Sequence, residues 1–215
     1  ESLGLLPRSL NLLSCLMGLA PGNKTFVVRA SFLEIVGNKV FDLLGNCEGR
    51  ARVDLRVRPS RDGATFVDGL SFRPARCAED LRQAYKDGLA RHTEWIRAFG
   101  ATSSRTTSLM FTMEVQAQEG LPDGQLRTRS ATLTMVKLGG SERPERPVGL
   151  TEGPTVTMFP TGALHAVVAA LAKRDKKRVL VPYRDSKLTF LLKDSLGGSA
   201  RTLVVATCSP AGRDL

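Results

Sequence analysis

Between positions 26 and 35 the chain reads FVVRASFLEI, where β-branched and aromatic residues alternate with polar ones. That is the period of a strand with one buried face. VFDLLG follows as an apolar turn ending at Gly45, and Thr65 to Leu70 repeats the strand pattern in shorter form. From Cys77 to His92 the apolar positions Ala78, Leu81, Ala84, Tyr85 and Leu89 recur at helical spacing, with Glu79, Asp80, Arg82, Lys86 and Asp87 opposite. An amphipathic helix is predicted there. Ser108 to Gln116 and Ala131 to Leu138 read as two strands of a hairpin around the turn signal Gly120-Leu-Pro-Asp-Gly124.

Further along, GALHAVVAALAK (Gly162 to Lys173) is helical by its alanine and leucine content, and DSKLTFLLKDSL (Asp185 to Leu196) predicts a second, amphipathic helix closed by Gly197-Gly198. RTLVVATC (Arg201 to Cys208) reads as an apolar strand running into Ser209-Pro210. Helices interleaved with β-rich runs place the chain in the α/β class, with a mixed central sheet. Residues 46–64 and 139–160, the latter with prolines at 144, 147, 154 and 160, read as irregular surface connections.

Composition narrows the function classes. With 215 residues and 42% apolar content the chain forms one domain, 1–215, with enough sequence to bury a core. The uncharged run from Leu10 to Asn23 is broken by Asn11, Ser14, Gly18, Pro21 and Gly22, too short and too interrupted to span a membrane, and no secretory signal is visible. Cysteines at 15, 47, 77 and 208 form no C-x-x-C, and His92 and His165 are the only histidines, so neither a metal site nor a disulfide framework is expected. Reduced thiols in the cytoplasm are the simplest reading. His92 and His165 fit no catalytic arrangement and are expected as surface or satisfied helix positions, and Trp95 as packing.

The net charge is +10, which suits an anionic partner without naming it. Its distribution is uneven. Lys173, Arg174, Lys176, Lys177, Arg178, Arg184, Lys187 and Lys193 stand against Asp175 and Asp185 alone in the segment 173–193. Nucleic acid is not favoured as the partner, because the basic run lacks interleaved aromatics and any RNP-like or helix-turn-helix signature. Gly18-Leu-Ala-Pro-Gly22-Asn-Lys24-Thr25 looks like a phosphate loop but has three residues between the glycines, an intervening Asn23, and a strand rather than a helix after Thr25.

Three segments are specific when taken together: FLEI…VFDLL (32–44), Ser103-Ser104-Arg105, and VPYRDSKLT…LLKDSLGG (181–198) with Ser209-Pro210. In this order and spacing the chain resembles the kinesin motor domain, from about Leu5-Leu6-Pro7-Arg8 onward. The resemblance implies a P-loop NTPase-related fold with helices on both faces of the sheet, incomplete at its N-terminus because the phosphate loop is not among these residues. Leu5 to Arg8 then look like the end of the helix after that loop.

Residue by residue, the resemblance implies a switch I at 100–107, where Ser103, Ser104 and Arg105 keep the family's hydroxyls and arginine while its Asn and His are missing. Ser104 and Gly140 would approach the nucleotide, and Arg105 would pair with Glu142 of a switch II reading KLGGSE. ATP and Mg²⁺ are the implied cofactors. Lys137, however, stands where the family has the Asp that helps hold the Mg²⁺ water shell. An ammonium repels a divalent cation, so hydrolysis is expected to be impaired or lost. Pro160 should delay the following helix to near Gly162. For the track, the resemblance implies that Lys173, Arg174, Lys176, Lys177, Arg178, Tyr183, Arg184 and Lys187 face tubulin, with Leu188, Leu191, Leu192 and Leu196 packing inward and Asp185-Ser186 capping the helix. The expected function is microtubule binding and microtubule-based movement on the cytoplasmic cytoskeleton. The alternative is a nucleotide-insensitive cytoskeletal scaffold or regulatory module.

Overall fold

Alternating apolar positions on two long strands organise the structure, a computed structural model that describes residues 4–45, 52–61, 63–99, 107–140, 160–173 and 180–207. Strand β1 (Lys24–Val36) pairs antiparallel with β6 (Thr107–Gly120) over its whole length, from Lys24 opposite Glu119 to Val36 opposite Thr107. On the far side of β6 lies β7 (Leu126–Lys137). The other edge of β1 is shared by β2 (Lys39–Asp42) and β5 (Arg73–Ala75). Gly37, at φ +59°, makes the tight reversal from β1 into β2, a conformation that costs a residue with a Cβ.

Because the strand period is two, successive residues of β1 serve opposite faces. Val28, Ala30 and Phe32, with Phe111 and Met113 of β6, pack beneath α1 (Leu5–Gly18) and α2 (Ala78–Phe99), meeting Leu10, Leu81 and Ala84. Phe32 lies edge-on to Phe111, ring centroids 5.3 Å apart. Leu33, Ile35 and Met110 point the other way, onto Val40, Leu188 and Leu192. The α/β architecture with helices on both faces thus stands, and the described strand pairings are all antiparallel.

Several elements differ from expectation. Leu5 to Arg8 open helix α1 rather than end one. Pro7 is tolerated there because first-turn amides have no intrahelical partner. The helix at 77–92 is longer, ending at Phe99, and its start is held by Asp80, whose carboxylate accepts the amides of Arg76 (2.7 Å) and Cys77 (3.2 Å). Within the supposed connection 46–64, β3 (Arg56–Pro59) pairs with β4 (Thr65–Asp68) as a hairpin. Helix α3 (Pro160–Ala172) starts at the proline itself, a first helical position that needs no amide donor. The predicted helix 185–196 is a 3₁₀ turn (Tyr183–Asp185) followed by two short helices, α4 (Lys187–Leu191) and α5 (Lys193–Gly197), broken at Leu192. Ser186 caps α4, its hydroxyl accepting the Thr189 amide at 3.0 Å. Finally, residues 201–207 form no strand with any described residue, and Leu203, Val204 and Val205 are exposed.

Candidate functional site

Of the residues assigned to the nucleotide side, Ser103, Ser104, Arg105 and Glu142 lie outside the described residues. What is described is the pair of strands that flank their segments. The register places Leu109 opposite Lys137, so the start of β6, which follows segment 100–106, and the end of β7 are neighbours. Gly139 is buried and donates its amide to the Ser108 hydroxyl at 3.0 Å, which leaves the exposed Gly140 at the mouth of this junction. Lys137 is exposed beside it. Among the described residues no group of three His, Cys, Asp or Glu side chains could hold a metal ion. The ammonium at the strand end adds positive charge on this side of the junction, which does not favour a divalent cation there.

One buried charge cluster escaped the sequence reading. Glu34, the one acid in the run FLEIV, is 1% exposed and pairs with the Arg52 guanidinium and with His92 Nδ1 at 3.0 Å. Arg52 is held between rings, 4.0 Å from Phe41 and 3.8 Å from Trp95. Burial pushes the Glu34 carboxyl above its ordinary value, and Arg52 and His92 pull it part of the way back. The sequence signal was there: an acid at the centre of an apolar strand requires partners. The cluster sits on α2, which runs on toward segment 100–106. Of the two positions expected for His92, surface or satisfied helix, the structure shows the second, and Trp95 does pack.

On the opposite face lie the elements that carry the described residues assigned to the track. Arg174, Lys176, Lys177 and Arg178 are outside the described residues. Lys173 is exposed just past the end of α3, and Arg184 is exposed with its guanidinium 5.8 Å from the Phe190 ring. Tyr183 is half-buried over Gly197, where an added Cβ would lie 1.9 Å from its hydroxyl oxygen. Burial, with help from Asp194, raises the Tyr183 hydroxyl pKa. Leu188 and Leu192 are buried and Leu191 and Leu196 pack beside them, so this leucine set is core as expected.

Lys187 behaves differently from a free cation. Its ammonium donates to Asp54 (2.9 Å) and to the Leu55 carbonyl (3.2 Å), and its amide donates to the Asn38 side chain (2.8 Å). Burial would raise the Asp54 pKa, but hydrogen bonds from Lys187 and from the Val40 amide outweigh it and hold the carboxyl below its usual range. Lys193 reaches the Gly63 carbonyl at 3.3 Å, near the hairpin turn. The β3–β4 hairpin, with exposed Arg56, Arg58 and Arg61, is thereby joined to the PYRDSKLT segment, though Arg58 is itself paired with Asp68 at 3.0 Å.

No described helix is long and apolar enough to cross a membrane. The family model of the kinesin motor domain matches residues 1–215. Human kinesin-like protein KIF21B is 33% identical over 216 residues, covering 88% of this chain and 13% of the relative. Mouse KIF18B is 35% identical, covering 87% of the chain and 22% of the relative, and mouse KIF13A is 34% identical, covering 98% and 12%. The chain thus spans under a quarter of the length of these relatives. Among solved structures, a fast kinesin superposes with a TM-score of 0.73 at 24% identity, over 89% of this chain and 52% of that one, a likeness of fold. Helices on both faces of the β1–β6 sheet, the intact PYRDSKLT segment and a match along its whole length place this chain in the kinesin motor domain family.

Proposed function

We propose that this chain binds microtubules through the face built from Lys173, Tyr183, Arg184 and the adjoining basic segment 174–178, and that it does so without ordinary Mg²⁺-assisted ATP turnover. The observation that carries the binding reading is the exposure of Arg184 and Lys173, on a segment that continues into α4, to which a hairpin with exposed Arg56 and Arg61 is joined, cationic groups suited to an acidic filament. Lys137 supports the loss of turnover, since it places positive charge where a divalent cation would have to approach. The resemblance assigns Gly140 and the hydroxyls of Ser103 and Ser104, not Lys137, to the nucleotide phosphates, so ATP binding and hydrolysis are separate questions. The setting is the cytoplasmic microtubule array.

Two assays on the same preparation test this. Co-sedimentation with microtubules should show binding that weakens with salt, while phosphate release should not rise when microtubules are added. Stimulated hydrolysis would refute the role given to Lys137. A protein that stays in the supernatant at low salt, while folded by circular dichroism, would instead support the scaffold reading, in which the cationic face serves another cytoskeletal protein.

A further inference from the structure

The cation most naturally assigned to the filament from the PYRDSKLT motif is already engaged inside the protein. Lys187 has three N–H donors, and two are taken, by Asp54 at 2.9 Å and by the Leu55 carbonyl at 3.2 Å. Its side chain is 23% exposed against 41% for Asp54. The acceptors are themselves anchored: Asp54 also receives the Val40 amide at 2.8 Å, and the Leu55 amide donates to the Val40 carbonyl at 2.8 Å. The ammonium therefore joins the start of α4 to chain that is tied into β2 of the main sheet. Beneath it, Leu55, Val57 and Val67 of the hairpin region pack against Leu188 and Leu192. At the far end Lys193 meets the Gly63 carbonyl.

A lysine and an aspartate in contact make a pair of zero net charge. At separations beyond the Debye length, about 8 Å at physiological salt, such a pair attracts an acidic surface little. Arg184 and Arg61, each exposed and without an ion-pair partner among the described residues, have no such restriction. We propose that Lys187 is a positioning residue, a clamp that holds the β3–β4 hairpin against α4 so that the hairpin arginines and Arg184 form one rigid cationic surface, with its own charge committed to Asp54. This deepens the microtubule reading and rests on it.

The sign of one substitution separates a clamp from a direct contact. If Lys187 touches the filament, Asp54 competes for its ammonium, and Asp54→Asn should leave microtubule affinity unchanged or raise it. If Lys187 is a clamp, Asp54→Asn and Lys187→Gln should each weaken co-sedimentation by roughly three- to five-fold, and the double variant should be no worse than either single one. The dependence of affinity on salt should keep its wild-type slope in Lys187→Gln, whereas Arg184→Gln should flatten it. Exchanging the pair, Lys187→Asp with Asp54→Lys, should recover binding lost in the single variants. Unchanged or tighter binding by Asp54→Asn, or a flattened slope in Lys187→Gln, overturns the clamp.

Hydrogen exchange in the full chain without microtubules provides an arm independent of the filament. Amides of the β3–β4 hairpin should exchange faster in both Lys187→Gln and Asp54→Asn, and unchanged protection in both overturns the clamp. Failure of the wild type to sediment would refute the microtubule reading without altering the exchange result, so the two failures are told apart.

Discussion

Glu34 of β1 and His92 of α2 meet at 3.0 Å in the interior, with Arg52 completing the cluster on the other carboxylate oxygen. An ionised carboxylate in this position persists only because the Arg52 guanidinium and the hydrogen bond with His92 offset its lost hydration. The cluster links a segment preceding β3 to the sheet and to helix α2.

Removing the carboxyl group altogether should therefore destabilise the fold more than replacing it with a neutral amide. Glu34→Ala leaves Arg52 buried between Phe41 and Trp95 without its counter-ion, and loss of one member of a buried pair costs about 3–5 kcal/mol. Glu34→Gln keeps an acceptor for both partners and should cost less. Urea unfolding of the three proteins checks the order, and equal midpoints for Ala and wild type would refute it.

The acid limb of stability should be set by aspartates that gain partners on folding. Asp87, bonded by Arg73 and Gln83 against a smaller opposing effect of burial, is held low, as is Asp54. A carboxyl depressed in the folded state contributes stability above its unfolded pKa, and that contribution is lost as pH falls through the folded value. Glu34 has the opposite sign. Its pKa is raised by burial, so the contribution linked to its proton is full below the unfolded pKa and lost as pH rises through the folded one. Stability should thus decline below about pH 4, less steeply in Asp87→Asn, whereas Glu34→Gln should alter the pH dependence only above about pH 4, where it removes the loss that sets in as pH rises. Thermal melts from pH 6 to pH 3 give the three slopes.

Two glycines should respond in opposite directions to alanine. At Gly88, on the face of α2 against β1, an added Cβ would lie 2.2 Å from Phe32 Cδ1, in a ring packed against Tyr85 and Phe111. Overpacking of that kind costs about 1–3 kcal/mol. At Gly162 nothing lies within 4 Å, and Gly162→Ala should stabilise α3 by up to about 1 kcal/mol through the helix preference of alanine. Chemical denaturation of both variants measures the contrast.

Legibility followed the reach of each interaction along the chain. β1 and β6 were readable because their alternation is local, and so was the leucine set of 188–196. Helix α1 was not, since Leu5, Leu12, Leu16 and Leu19 are exposed and blur the apolar stripe that would have marked it. β4 was readable at Thr65 to Leu70, but its partner β3 hid inside an Arg- and Gly-rich stretch because its support comes from Leu188 and Leu192, some 130 positions away. The break at Leu192 likewise arises from tertiary packing on a sequence whose period alone supports a continuous helix. On the functional side, motif spacing marked Lys187 as a cation, but Asp54 as its partner lies 133 residues earlier and carries no local signal.

Tyr183 and Gly197 offer a test in which stability and binding should part company. The tyrosine hydroxyl occupies the space a side chain at 197 would need, and Leu171 Cδ2, at 3.4 Å, closes the other side. Gly197→Ala must therefore displace the ring. Because the obstructing atom is the end of a side chain that can rotate, the displacement should cost the fold little, and the melting temperature should shift only slightly. The tyrosine would then swing away from the surface it shares with Arg184. If that surface engages microtubules, affinity should fall by about 1 kcal/mol, roughly five-fold, with Tyr183→Phe nearly unchanged because the ring stays in place. Co-sedimentation and a thermal melt on the same samples give both quantities. A large drop in melting temperature, or wild-type affinity in Gly197→Ala, would mean that Tyr183 belongs to the packing between α3 and α5 and contributes nothing to the filament.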